Sequence, residues 1–208
     1  MKRAIKSGAV SAQFYDPKKS ESDIKKRVDD KPYGGGPGQV IRALPVVRAI
    51  EKAQKNISRK QVGSNKKPRK AKIIFLSPSG KQFSNVTAVS LAKKFTDIIV
   101  VSGRYEGIDA RVKKIFKMDE ISVGPFVLTG GELPAMIIMD AVSRRVPGVL
   151  GNADSLEELR VASPDVYTRP GSFLYKGKNY RVPKLLLSGN HAKIEKWRNL
   201  RRTRKQFS

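Results

Sequence analysis

Two glycine-rich stretches have the residue types that could form a ligand crevice. They are Val101–Val112, which contains Gly-Arg-Tyr-Glu-Gly, and Glu120–Pro134, which contains Gly-Pro-Phe-Val-Leu-Thr-Gly-Gly. Each includes an apolar run typical of a β-strand, bends at glycines and continues into a helical pattern. Parallel α/β sheets bind ligands at this position, beyond the carboxyl ends of their strands. Because glycine has no side chain, a ligand there can contact the backbone directly.

The glycine spacing does not match the common nucleotide-binding motifs. Gly103–Gly107 lacks the G-x-G-x-x-G pattern of dinucleotide folds, and no G-x-x-x-x-G-K follows a strand. A tight β–α turn without a ligand is an equally good interpretation of this loop. The segment Gly124–Gly131 is less ordinary, because it places an apolar strand-like run between two glycine turns, where one β–α connection needs only one.

Charged residues around a predicted helix over 133–146 are candidates for acid–base chemistry. Arg144 follows Asp140 by four residues, so a surface ion pair is one interpretation. The other is a guanidinium directed from the helix end toward a reacting group. Asp154 lies in a predicted loop, where an aspartate usually faces solvent or forms a turn. His191 is the only histidine and there is no cysteine, so we expect no metal site and no serine triad.

The charge balance indicates a polyanionic partner. The 208 residues include 43 Lys and Arg against 18 Asp and Glu, a net charge of +25, and so large an excess repels itself in a compact fold. A merely soluble basic surface is the alternative. Residues 52–72 contain nine basic residues and no acid, which fits RNA contact and a solvated loop equally well.

The sequence gives no sign of membrane attachment. No apolar run approaches the roughly 18 residues of a membrane-spanning helix, and the start of the chain lacks the apolar stretch of a signal peptide. The absence of cysteine fits a reducing compartment. We therefore expect a cytoplasmic protein without a membrane partner.

Strand and helix patterns alternate along the first 150 residues, which predicts the α/β class. The helix over 84–95 is predicted to direct Val86 and Val89 inward, together with Ala92 and Phe95. A terminal helix is predicted over 188–205, with Ser188 as its N-cap. The other predicted strands are 73–76, ended by a turn at 77–80, 98–101, 121–123 and 126–128, and the other predicted helices are 39–55 and 107–117.

Seven motifs stand in order along nearly the whole chain. They are Tyr33–Gly38, Leu76–Gly80, Gly103–Asp109, Ser122–Pro134, Pro147–Gly151, Tyr167–Pro170 and Leu187–His191. Together they closely resemble the bacterial tRNA (guanine-N1)-methyltransferase family, which modifies guanosine 37 beside the anticodon. Several of the motifs are long, so a chance match in this order is very improbable.

The resemblance implies a parallel α/β sheet tied in a deep trefoil knot of the SPOUT methyltransferase type, with a short C-terminal helical extension. It also implies S-adenosylmethionine as the methyl donor, tRNA as the substrate and a homodimer. On this basis we expect a knotted cofactor-binding domain over 1–151, an interdomain linker over 152–171 and a truncated tRNA-binding extension over 172–208.

The resemblance also assigns site residues by position. Arg144 falls on the family's catalytic arginine and Asp154 on its catalytic aspartate. A carboxylate can remove the N1 proton of guanine as a general base, and a guanidinium can stabilise the charge that then builds on N1 and O6. The implied cofactor pocket consists of Leu76, Ser77, Pro78, Gly103, Glu106, Val123, Gly124, Pro125, Phe126, Val127, Leu128, Gly130, Gly131 and Pro134.

The chain departs from the family pattern in three places. It begins after the family's opening apolar strand, it ends before the helical domain does, and the linker before Asp154 is shorter. A missing strand would leave a sheet edge unpaired and lower the stability. Two other functions are open: a knotted RNA methyltransferase with a different target, and a catalytically impaired tRNA-binding relative that has lost strand and domain, whose binding would depend strongly on salt.

Overall fold

The computed structural model of the chain describes residues 2–20, 27–59, 68–150 and 165–205. The chain divides into two compact units, Met1–Val149 and Leu150–Ser208. The first unit contains α1 (Lys2–Lys6), a 3-10 turn (Pro17–Ser20), β1 (Asp29–Asp30), β2 (Val40–Ile41), α2 (Ala43–Arg59), β3 (Ala71–Gln82), α3 (Asn85–Lys94), β4 (Asp97–Val101), α4 (Arg111–Ile115), β5 (Asp119–Ser122) and α5 (Glu132–Ser143). The second contains β6 (Ser172–Tyr175), β7 (Lys178–Arg181), α6 (Lys184–Leu187) and α7 (His191–Lys205).

A parallel sheet in the order β4-β3-β5 forms the centre of the first unit. In its register, Phe75 of β3 lies opposite Val101 of β4 and Glu120 of β5. The strands are joined through helices, as parallel strands require. The predicted α/β class with a parallel sheet is therefore confirmed.

Side chains of β3 alternate between two apolar clusters, one on each face of the sheet. Ile73 and Phe75 face α2 and α4, whereas Ile74 and Leu76 face α3 and α5. The first cluster is completed by Val46, Ile50, Val101, Ile108 and Val112. The second is completed by Ala88, Leu91, Ile121, Ile138 and Val142. Burial on both faces explains why β3 begins as an unbroken apolar run.

β3 does not end at the predicted turn. Leu76 and Lys81 both pair with Ile121 of β5, so residues 77–80 bulge out of the ladder and the strand then resumes. A Cβ at Gly80 would come within 2.6 Å of the Ile121 amide nitrogen. Because backbone lies that close, glycine is required at this point of the bulge.

Two other predictions for the first unit are wrong. Val86 is 79% exposed, and α3 buries Ala88 and Leu91 instead. The predicted Ala92 and Phe95 do pack, partly buried, against the same cluster. Residues 126–128 form no strand and are exposed. The predicted helix over 107–117 is confirmed only as the short α4, since the preceding residues extend to pair with β2.

The second unit contains a hairpin and a terminal helix. Strands β6 and β7 pair antiparallel around Lys176 and Gly177, which both have positive φ as in a type I′ turn. The Asn190 side-chain oxygen accepts from the Lys193 amide at 3.1 Å, so Asn190 rather than the predicted Ser188 caps α7. In the described part of the chain, none of the helices has the length and apolar character needed to cross a bilayer.

Candidate functional site

Three loops leave the carboxyl edge of the parallel sheet. The first is the bulge after Leu76 within β3, and the other two follow Val101 at the end of β4 and Ser122 at the end of β5. Because the strands are parallel and in register, these three ends lie side by side. The edge therefore gathers both glycine-rich stretches and the bulge of β3 at the position where α/β folds bind ligands.

The loops after β4 and β5 are joined through their backbones. The Gly131 amide donates to the Gly103 carbonyl at 2.8 Å, and the Ser102 hydroxyl donates to the Gly131 carbonyl at 3.2 Å. A Cβ at Gly131 would lie 2.8 Å from the Ser102 Cα. Only glycine permits this approach, so Gly131 fixes the two loops against each other.

A side-chain pair closes the same junction. The Arg104 Nε donates to a Glu132 carboxylate oxygen at 2.6 Å, beside a bridge between Arg104 and Gly130. This hydrogen bond is the main reason that the pKa of Glu132 is lowered and the pKa of Arg104 is raised. Both side chains are more than half exposed, so the pair orients the loop in water and contributes little to overall stability.

A third segment packs against the loop after β4. The Ile41 amide donates to the Gly107 carbonyl, and the Asp109 amide donates back to the Ile41 carbonyl, both at 2.9 Å. The Glu106 side chain lies against Gly38, whose φ is +81°. Through these contacts the glycine-rich motif before β2 supports the loop that carries Glu106.

Tyr105 has a backbone conformation that non-glycine residues rarely adopt. Its φ is 58°, and its side chain is 66% exposed. Left-handed conformations at bulky residues are strained and cluster at functional sites. Nothing in the sequence signals this conformation, because it results from the contacts that hold the loop on both sides. Tyr105 lies in the loop of the candidate site and Gly80 in the bulge beside it, and sequence reasoning singled out neither.

The loop after β5 is organised by Ser122. Its buried hydroxyl donates to the Gly124 carbonyl at 2.9 Å and accepts from the Gly124 amide at 3.3 Å. The Phe126 ring lies over Gly124, where a Cβ would overlap it. Beyond this turn, Phe126, Val127 and Leu128 expose apolar side chains. These residues form an exposed apolar rim on the segment that connects Gly124 to Gly130.

The residues of the β3 bulge and the start of α5 occupy the remaining predicted positions. Leu76 is buried between the strands, and the Ser77 hydroxyl lies 2.9 Å from the Ser79 hydroxyl within the bulge that includes Pro78. Pro134 lies in the first turn of α5, where its missing amide donor costs nothing.

The predicted catalytic residues are not assembled at this edge within the described residues. Arg144 is the C-cap of α5, thirteen residues after Gly131 and so roughly 20 Å away along the helix. Among the described residues the Arg144 guanidinium makes no hydrogen bond or ion pair, so the ion pair with Asp140 is absent. Asp154 lies outside the described residues.

This arrangement is suited to binding rather than to proton transfer on its own. Its contacts come from backbone amides and carbonyls, glycine surfaces and an apolar rim, which suit a ligand with polar edges and an apolar face. Within the described ranges, no group of three carboxylate or imidazole side chains is placed to hold a metal ion. The three loops and the start of α5 do contribute titratable side chains, among them Glu106 and the Arg104–Glu132 pair.

Comparisons with known proteins give a consistent result. The profile of a family described as tRNA (Guanine-1)-methyltransferase TrmD matches residues 1–207. The tRNA (guanine-N(1)-)-methyltransferase of Lachnospira eligens is 43% identical over 210 residues, which cover 98% of this chain and 83% of that protein. The enzyme of the same name from Marinomonas sp. is 44% identical over 94% of this chain and 74% of its own length. The enzyme of that name from Dictyoglomus turgidum is 41% identical over 100% of this chain and 78% of its own length.

Proposed function

The chain belongs to the tRNA (guanine-1)-methyltransferase family, and we propose that it transfers a methyl group from S-adenosylmethionine to N1 of guanosine 37 in tRNA. The observation that best supports a site for the donor is the backbone junction of two glycine loops at the carboxyl edge of the sheet, where the Gly131 amide donates to Gly103 at 2.8 Å. The net charge of +25 fits a tRNA substrate.

The cofactor site that we propose consists of the three loops that meet at this edge. Gly103 supports the assignment, since the nearest atoms to a Cβ there, on Ile108 and Gly107, lie at 3.4 Å or more, so the protein itself does not demand a glycine. Bare backbone at this position is useful to a ligand that lies against it. S-adenosylmethionine supplies an electrophilic methyl group on a sulfonium, and the loops hold that group in line with the acceptor.

We further propose that this segment is threaded as a trefoil knot. After β5, the chain returns at Gly130 and Gly131 to contact the loop that follows β4. It then enters α5, which packs on the face of the sheet opposite to α4. Such a return is what a knotted cofactor loop requires. The proposed domain division remains a cofactor domain over 1–151, a linker over 152–171 and a tRNA-binding extension over 172–208.

The residues proposed for chemistry act on the guanine. Asp154 accepts the N1 proton, because N1 of a neutral guanine is a poor nucleophile until that proton leaves. Arg144 stabilises the negative charge that develops on N1 and O6, an interaction stronger in the transition state than in the ground state. Reaching the N1 edge requires that the base be extruded from its stack.

A homodimer would explain why Arg144 is distant from the loops of its own chain. On α5, Leu133, Met136 and Ile137 are 45–59% exposed and share one face, which forms an apolar stripe. Two copies that pair antiparallel along this stripe would bring the partner's Arg144 toward Gly131. The enzyme that we propose is therefore a dimer with sites composed of both subunits, and we propose that it acts in the cytoplasm, where its tRNA substrate is found.

The experiment that tests the function uses the purified chain, labelled S-adenosylmethionine and an unmodified tRNA transcript, followed by mass spectrometry of the nucleosides. We expect N1-methylguanosine at position 37. A control transcript with another base at position 37 is expected to yield no methylated product. Methyl transfer to a different nucleotide would favour the alternative of a knotted methyltransferase with another target. Salt-sensitive binding without any product would favour the impaired relative.

Single substitutions can distinguish residues that bind the methyl donor from residues that act on the guanine. Gly103→Ala is expected to fold normally, because the nearest atoms to the new methyl group lie at 3.4 Å or more. Since we propose that the donor lies against this backbone, the variant is also expected to weaken donor affinity measured by calorimetry. Its control is Gly171→Ala, where a Cβ would meet nothing within 4 Å. Arg144→Ala and Asp154→Ala are expected to bind the donor normally and to lose about 100-fold or more in methyl transfer. Full activity in either variant would reject its role.

A further inference from the structure

One face of the β6–β7 hairpin carries a set of aromatic rings that the proposed chemistry does not use. The pairing places Phe173 opposite Tyr180 and Tyr175 opposite Lys178. Because side chains alternate between the two faces of a strand, these four residues share one face and Leu174 lies on the other. The rings of Phe173, Tyr175 and Tyr180 are 42–57% exposed.

The rings are ordered by contacts within the hairpin. Phe173 and Tyr180 stack with their centroids 5.5 Å apart and their planes 16° from parallel. The Lys178 ammonium lies 5.5 Å from the Tyr180 centroid, and the Lys176 ammonium lies 5.6 Å from the Tyr175 centroid. These contacts restrict the orientation of the exposed rings and place cations beside them. The side chains therefore lose less conformational entropy when a further planar group stacks on them.

The positive charge of the residues around the hairpin indicates an anionic partner. From Val166 to Ile194 the chain has no acidic residue. Its basic residues in this interval are Arg169, Lys176, Lys178, Arg181, Lys184 and Lys193. An aromatic face inside a purely basic segment matches the two parts of an unpaired nucleotide, a flat base and a phosphate.

We propose that the face formed by Phe173, Tyr175, Lys178 and Tyr180 is a stacking platform for an unpaired base of the tRNA substrate. The bases of a double helix offer no free ring surface, whereas the bases of single-stranded loops do. The rings supply sequence-tolerant stacking, and Lys176 and Lys178 contact the adjoining phosphates. This inference extends the proposed function, on which it rests for the identity of the RNA.

The experiment measures affinity of the full chain for an unmodified tRNA transcript at several salt concentrations. Phe173→Ala and Tyr180→Ala are expected to weaken binding by about 10-fold at every salt concentration, because stacking involves no counterion release. Lys178→Gln is expected to reduce the slope of log affinity against log salt concentration by about the amount that one phosphate contact contributes. Leu174→Ala, on the opposite face, is the matched control and is expected to stay within about two-fold of the parent chain.

Phe173→Tyr distinguishes stacking from a general disturbance of the hairpin, because it keeps the ring and is expected to keep the affinity. Three results would overturn the platform: parental affinity in Phe173→Ala, an equal loss in Leu174→Ala, or a lowered melting temperature in the ring variants with unchanged affinity, which would mean that protein covers the rings. Failure of the proposed function looks different, since the parent chain would then yield no N1-methylguanosine whatever the ring variants do.

Discussion

The edge of the parallel sheet and the β6–β7 hairpin form surfaces in opposite ways. At the sheet edge, main chain meets main chain, and Gly80 and Gly131 lie where a Cβ would come within 2.8 Å of backbone atoms. On the hairpin, the described residues of both strands are exposed, and the surface consists of side chains such as Phe173 and Tyr180. Contacts between backbone atoms determine the shape of the first surface, whereas the second consists of side chains that project from the hairpin into solvent.

The difference teaches which kind of ligand each surface can select. A site made of closely packed backbone has little freedom, so it suits a small ligand that must be held at reaction distance. Aromatic and cationic side chains on a short hairpin adjust to their partner, which suits a macromolecule recognised through many weak contacts. Substitutions should therefore affect stability and activity at the sheet edge, and affinity alone on the hairpin.

The largest effect is expected from a cavity under the sheet. Ile74→Ala removes a fully buried side chain from the cluster that supports β3, which should lower the free energy of unfolding by about 2–5 kcal/mol. Leu174→Ala on the hairpin is the matched aliphatic control, since Leu174 is 73% exposed, and should change it by less than about 0.5 kcal/mol. Thermal denaturation measures both. Equal losses would show that the hairpin has a packed core of its own.

An intermediate effect is expected at the loop junction. Gly131→Ala forces the Ser102 backbone to move, which should cost about 1–3 kcal/mol in stability and about 100-fold in methyl transfer. Gly171→Ala, beside the hairpin, places its methyl group in open space and should leave both quantities unchanged. Stability is measured by denaturant titration and activity by label incorporation. An active Gly131→Ala variant would mean that the junction is not part of the site.

The smallest effect is expected from an exposed ion pair at the start of α4. The hydrogen bond from Arg111 is the main reason that the pKa of Asp109 lies below 3.8, its usual value. A lowered pKa stabilises the fold above that usual value, and the contribution is lost as the pH falls through the lowered pKa. Arg111→Gln should therefore reduce the melting temperature slightly at pH 6 and not at all near pH 2. A difference that persists at pH 2 would point to lost packing instead.

Sequence patterns predicted the strands and helices whose formation depends on residues close together in the chain. The apolar runs at 73–76 and 98–101 become β3 and β4, and the punctuation around Pro134 and Pro147 brackets α5. On the predicted inward face of α3, Ala92 and Phe95 pack against the core but Val86 is exposed, because helical spacing does not show which residues of a face the neighbouring elements cover. The resumption of β3 after Gly80 depends on pairing with a strand forty residues later, which no local pattern encodes.

The candidate site was predictable in its location but not in its geometry. Glycine loops after two apolar runs pointed to the carboxyl edge of a sheet, and the structure places Gly103 and Gly131 in contact there. The left-handed Tyr105 and the pairing of Ile41 with the loop that carries it arise from tertiary contacts. The separation of Arg144 from the loops depends on the length of α5, which a local pattern predicts only approximately.

The close approach at Gly131 has a consequence for resistance. Since a Cβ there would meet the Ser102 Cα at 2.8 Å, any replacement by another residue distorts the turn that joins the two loops. A compound that hydrogen-bonds this main chain, instead of contacting the exposed side chains of Phe126 and Val127, would depend on atoms that a substitution cannot remove without distorting the turn.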